Sequence, residues 1–218
     1  MSESPARRRR TGLTRSAKRA ILVAGVVVLL VAMGLSTKVV SSGSSAAAGA
    51  QAFNPTTWGK ENFPKVQAAI EKRAVDAPVL AAALAKDPTG AAQKYGVQAG
   101  TGPELSVKFS GVVGKGDAGI YEVKVPGMPK NLLVRIQTGP AINGTDLRDA
   151  TGTITFGQFT NQIDYQNAAA ALNDQLRKQV LSKIDTAHLT GKKVTVVGAF
   201  QLINPDAWLV TPVKLSVA

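Results

Sequence analysis

The hydrophobic positions change rhythm several times along the chain. Residues 20–35 (AILVAGVVVLLVAMGL) are apolar on every side and carry no charge, so they read as a helix with no polar face. Between residues 57 and 96 the signals are those of two or three short helices: Asn62 as a cap ahead of Pro64, apolar Phe63, Val66 and Ile70, then Asp76 and Asp87 capping helices with Pro78 and Pro88 just inside, and Gly96 as a stop. From Glu104 the period becomes two, with Leu105, Val107 and Phe109 alternating with Ser106, Lys108 and Ser110. After the turn 114–117 (GKGD), Tyr121, Val123 and Val125 continue the alternation; Leu132, Val134 and Ile136 make a third strand and residues 153–159, with Ile154 and Phe156 on one face, a fourth. A three-to-four rhythm then returns in Tyr165, Ala169, Leu172, Leu176, Val180 and Ile184, predicting one long helix over 162–184. Residues 191–200 and 207–215 form a last hairpin around Asn204, Pro205 and Asp206, and Pro212 belongs at a sheet edge or rim.

This order predicts an α+β chain: an N-terminal transmembrane helix, short helices, then a small, mostly antiparallel, partly open OB-like barrel with one long inserted helix. The divisions are a basic tail at 1–19, an anchor at 20–40, a small-residue linker at 41–53 and a domain at 54–218, whose helices span 57–96 and whose barrel spans 104–218.

Charge sharpens the N-terminal reading. The chain carries +12, yet residues 1–40 hold eight Lys/Arg against one Glu, a net of +7 packed around Arg7 to Arg10. That is a topology signal, with the N-terminus cytoplasmic and the domain outside. Residues 20–40 extend about 31 Å as helix, enough for one span. The alternatives are an export signal cleaved near Gln51, after the small residues 46–50, and a twin-arginine signal at Arg9 and Arg10, which lies too far ahead of the apolar run.

Composition removes whole classes of chemistry. There is no cysteine and one histidine, His188, which excludes disulfides, thiolate metals and a cysteine nucleophile and leaves a poor ligand set for zinc. No phosphate loop or dinucleotide fingerprint occurs. Phe109, Phe156, Phe200 and Trp208 fall in apolar alternation and read as core, which argues against a stacked nucleic-acid surface. No metal, cofactor or nucleic-acid partner is expected.

Asn161 is placed to cap the long helix, with Asp164 accepting from the exposed amides of its first turn; Asn167 lies opposite the apolar stripe, and Asn173 on its border, where an amide needs partners if buried. Residues 136–173 (IQTGPAINGTDLRDATGTITFGQFTNQIDYQNAAAALN) resemble the bacterial domain-of-unknown-function family 2291, described as predicted periplasmic lipoproteins. The shared elements are Gly139-Pro140, Gly144-Thr145, Leu147 to Ala150, Phe156, Phe159, Asn161-Gln162 and Asn173, within a similarity over about 105–215. The resemblance implies an extracytoplasmic protein associated with sugar-type ABC transporters. The missing cysteine departs from the lipoprotein label and gives the anchoring to the N-terminal helix.

The candidate contact residues for a ligand or partner are Arg148, Asp149, Asn161, Gln162 and Asn173. In residues 143–152 (NGTDLRDATG), Arg148 offers a planar donor fork and the aspartates offer acceptors, a division suited to sugar hydroxyls; the bland alternative is a capped turn with a weak local ion pair. Asn143-Gly144-Thr145 is also a glycosylation sequon, but Asn-Gly favours a turn. A carboxylate hydrolase built from Asp146, Asp149 and Asp164 and a His188-based nucleophile site are distant alternatives. The reading is a single-pass, membrane-anchored, non-catalytic accessory protein, assisting a carbohydrate ABC transporter by protein contact. Its runner-up is a carbohydrate-binding or other polar-ligand-binding module.

Overall fold

A computed structural model describes residues 24–26, 52–100 and 102–218. Two units divide at Ala52. Of the first, residues 24–26, helical and exposed, and Ala52 are described; the rest of the anchor and the linker up to residue 51 lie outside the described residues. Among the described residues no helix is long and apolar enough to cross a membrane.

The second unit begins with α1 (Pro55–Arg73), β1 (Val75–Asp76), α2 (Ala77–Lys86), α3 (Pro88–Tyr95) and β2 (Gly96–Ala99). Asn54, rather than Asn62, caps α1, its side chain accepting from Thr57 N at 3.0 Å, and Pro64 lies inside the helix. Asn62 instead donates to the Trp58 carbonyl one turn back. The helix continues past the proline because Phe63, Val66 and Ile70 are buried on one face. Gly59 permits the close crossing of α1 over the long helix, since a Cβ there would meet Ala171 at 2.9 Å.

The strands that follow are β3 (Gly102–Asp117), β4 (Ile120–Lys124), β5 (Leu133–Gln137), β6 (Lys193–Gln201) and β7 (Ala207–Val217). The sheet order is β1-β3-β4-β5-β7-β6, with β3 also paired to β6, so the pairings of β3, β4, β5, β7 and β6 return to their starting strand. The long β3 pairs β6 over residues 104–112 and β4 over 112–117, and also takes the short β1 and β2. It runs past the expected GKGD turn; the chain reverses at Ala118 and Gly119, both at positive φ, the combination a tight hairpin needs. Pro212 lies at a local edge, as expected: the β5 pairing stops at Val210, and beyond it β7 has β6 as its strand partner. It pairs with Gly198 beside a register shift in β7, and the neighbouring Val213 carbonyl accepts from Gln67 of α1 at 2.7 Å; a bulge is the other place a strand tolerates proline.

Two helices sit between β5 and β6: α4 (Asp146–Asp149) and α5 (Gln162–Gln179), the latter followed by a 3-10 turn at Leu181–Lys183. The expected strand at 153–159 is instead extended chain around a 3-10 turn at Phe156–Gln158. Its period-two pattern finds no ladder, and Gln158 Nε2 folds back on the Thr153 carbonyl at 2.9 Å. Phe156, expected in the core, is 49% exposed. The core itself is Leu105, Val107 and Phe109 of β3, Val194, Val196 and Phe200 of β6, Trp208 and Val210 of β7, and Leu172 and Leu176 of α5.

Candidate functional site

Opposite the core, one face of the sheet carries polar side chains. Residues directly paired across strands point to the same side, and the register sets Glu104 against Gln201 and Ser106 against Ala199 in β3 and β6, then Ala199 against Thr211 in β7. Glu104, Ser106 and Thr211 are all buried, and α4 lies against this layer, with Asp146 bonded to Thr211 and its three charged groups acting on Glu104.

The sequence of α4 explains why it sits there. The Thr145 carbonyl accepts from the Arg148 and Asp149 amides, closing a single turn that carries three ionisable groups. Asp146 takes a short hydrogen bond from the Thr211 hydroxyl, and Thr211 in turn accepts from Gln137 Nε2 at 2.9 Å. Arg148 grips Asp149 with two bonds, Nε to Oδ1 at 2.7 Å and Nη2 to Oδ2 at 3.0 Å. Its Nη1 donates to the Tyr165 carbonyl at 3.1 Å. The guanidinium also lies over the Tyr165 ring, 3.6 Å from its centre. Both Arg148 and Asp149 are only 7% exposed. Burial pushes the Tyr165 hydroxyl upward.

Glu104 differs from these groups. It is 1% exposed, yet neither carboxylate oxygen has a hydrogen-bond partner. Burial first, then Asp146 and Asp149 close by, push its carboxyl from 4.5 up to about 8, with Arg148 acting the other way. Burial likewise raises Asp146 against the pull of its Thr211 bond. The charges acting on Glu104 are Asp146, Asp149 and Arg148, and that guanidinium is already doubly bonded to Asp149; Arg135 of β5, paired with Leu209 on the same face of the sheet, keeps a buried Nε without a partner.

A cleft of about 470 Å³ opens beside this layer, lined by Gln137, Asn143, Asp146, Gln201, Ile203 and Leu209 among others. A second groove, of about 340 Å³, runs between residues 142–145 and α5, past Gln166, Asn173 and Arg177.

The sequence candidates divide accordingly. Arg148 and Asp149 come together, but as a buried pair committed to each other and to Tyr165, neither a free fork nor a weak surface pair. Asn161 caps α5, its Oδ1 accepting from Asp164 N at 2.9 Å, while Asp164 Oδ2 takes Asn161 Nδ2 rather than a backbone amide. Gln162 is exposed at the helix start. Asn173 is buried and donates to the Ile142 and Gly144 carbonyls at 3.2 and 2.8 Å. It stands three turns of helix from Asn161, so these amides do not form one site. His188 lies in an exposed pair with Asp185, which is thereby held below its usual value. Sequence reasoning missed Glu104, Gln137, Gln201 and Thr211. All four sit at strand positions whose polar character reads as solvent-facing, and no local signal announces the helix that lies beside Glu104 and Thr211.

Residues 26–216 match the family described as predicted periplasmic lipoprotein (DUF2291), and the chain belongs to that family. An OB-fold protein from Thermotoga maritima is similar in structure, with a TM-score of 0.61 and 20% identity, covering 77% of this chain and all of that one. That likeness is one of fold. No curated protein matches the chain.

Proposed function

We propose that this member of the DUF2291 family is a membrane-anchored, extracytoplasmic, non-catalytic accessory domain that works by contact with a membrane protein, of the kind a carbohydrate ABC transporter supplies. The observation that carries this reading is a chain of ring contacts, Phe53 to Trp58 to Phe159 to Tyr165 to Phe156, with centroids 5.4 to 5.9 Å apart. It ends in Phe156, 49% exposed, and Ile163 at the start of α5 is 68% exposed. Five of the chain's eleven aromatics are gathered there, and aromatic side chains are enriched in the cores of protein interfaces. Phe53 opens the domain, so the surface lies next in sequence to the linker. Arg148, Asp149 and Asp164 are meanwhile held by their neighbours, which supports contact rather than catalysis.

The test is photo-crosslinking in intact cells from positions 156 and 163, with exposed Val79 as the comparison site. The expected result is transporter subunits captured from 156 and 163 and not from 79. Equal capture from all three, or none of a transporter component, overturns the proposal.

A further inference from the structure

Two carboxyl groups of the polar layer, Glu104 and Asp146, have no cationic partner among the described residues. Asp146 forms part of the cleft wall. Glu104 lies behind that wall, directly across the β3–β6 ladder from Gln201, which also lines the cleft. A buried polar group without a partner is costly, and two unbalanced carboxyls beside Asp149 compound the cost through like-charge repulsion.

We propose that this cleft binds a small organic cation, its ammonium seated against Asp146 with the charge of Glu104 behind it, and its carbon skeleton against Ile203 and Leu209. Charge selects the class. The site repels anions, while an ammonium supplies the positive charge that Arg148, doubly bonded to Asp149, does not. A metal ion does not fit, since among the described residues no group of three or more histidines and acids is placed to hold one. The wall amides of Gln137 and Asn143 serve the ammonium hydrogens and any hydroxyl on the ligand through their oxygens. A space of about 470 Å³ suits a small molecule. The domain as a whole is basic, +5 beyond residue 40, so an acidic cleft is a local feature and not the spill of an acidic surface.

Protonation supports the same reading. With no cation present, burial and the neighbouring aspartates hold a proton on Glu104 up to about pH 8. An arriving ammonium favours the ionised form, so binding releases that proton to solvent and tightens as pH rises. The charged and titratable groups acting on Glu104 are Asp146, Arg148 and Asp149 of α4; Tyr165 of α5 stands beyond them, against Arg148 and Asp149.

Calorimetry on the detergent-solubilised full chain, with 1,4-diaminobutane, glucose and magnesium chloride as probes, tests this. Saturable binding of the diamine is expected, tightening at least tenfold from pH 6 to pH 8.5, with heats that follow the ionisation heat of the buffer. Asp146→Asn should weaken it at least tenfold, and Glu104→Gln should remove most of the pH dependence. Asn143 is exposed, so Asn143→Asp is tolerated by the fold and should tighten diamine binding several-fold, a test that does not depend on the stability of buried variants. No saturable diamine binding, binding unchanged in both Asp146→Asn and Asn143→Asp, or saturation by glucose or magnesium with the diamine silent would each overturn the assignment.

Discussion

The guanidinium of Arg148 stacks on the ring of Tyr165 at 3.6 Å while its Nη1 donates to the carbonyl of the same residue, so one side chain fastens α4 to the first turn of α5. With its other nitrogens on Asp149, Arg148→Met leaves a buried carboxylate without its cation, holding only the long bond from the Tyr165 hydroxyl. The expected loss is about 3–5 kcal/mol, against under about 1 for a surface pair. Arg148→Lys should recover less than half, having neither fork nor flat face, and Arg148→Met with Asp149→Leu should recover most. Urea midpoints measure all three, and a loss below about 1 kcal/mol for Arg148→Met would contradict a buried pair.

The parts of this fold legible in the sequence are those set by local periodicity. The stripe from Tyr165 to Leu176, with Asn161 ahead of it, describes α5 and its cap, and the alternation of Leu105, Val107 and Phe109 describes the buried face of β3. What the pattern does not contain is the other face. Glu104, Ser106, Lys108 and Ser110 alternate identically, yet the first two are buried and the last two exposed, and the groups beside Glu104 come from α4, some forty residues on. The 153–159 segment fails for the converse reason: it has strand periodicity but no ladder to join. Asn173 is legible as a residue that needs partners if buried, and Arg148 and Asp149 by their donor and acceptor chemistry; their burial is not, and the partners of all three are internal.

Glu104 makes stability depend on pH in a defined sense. Its folded value of about 8 stands above the ordinary 4.5, so between these values the folded chain holds a proton that the unfolded chain has lost. Stability therefore falls as pH rises through that window and levels off above it, by at most about 1.4 kcal/mol per pH unit. Asp146, also raised, acts in the same direction. Glu104→Gln, a neutral isostere, should match the native chain near pH 4.5 and exceed it by at least about 2 kcal/mol at pH 9. Denaturation at several pH values decides it, and parallel profiles for the two proteins would refute the shift.

Asn173 ties α5 to the connection that carries α4. Removing its amide in Asn173→Ala strips donors from the Ile142 and Gly144 carbonyls, a loss of about 1–3 kcal/mol. Asn173→Asp should be worse, because it sets carboxylate oxygens against two carbonyl oxygens. Hydrogen exchange should speed up most over residues 142–146, where the bonds are lost; uniform acceleration across the domain would indicate that Asn173 acts only through global stability.

Gly119 closes the β3–β4 turn and also receives the start of that same connection, its carbonyl accepting from both Thr138 N at 2.7 Å and the Thr138 hydroxyl at 3.0 Å. Its φ is +79°, and a Cβ would fall 1.1 Å from the Gly139 carbonyl oxygen. Gly119→Ala thus adds a backbone collision to the roughly 1–2 kcal/mol of left-handed strain, and since the obstacle is main chain, no rotamer relieves it. A loss above about 3 kcal/mol is expected, with exchange at the Thr138 amide accelerating first. The adjacent Ala118, at φ +47°, supplies the control. Ala118→Gly relieves strain of the same kind while loosening the unfolded chain, two effects that nearly cancel to within about 1 kcal/mol. Equal destabilisation by both changes would mean that turn conformation, rather than the packing of Gly119 on Gly139, limits this corner of the fold.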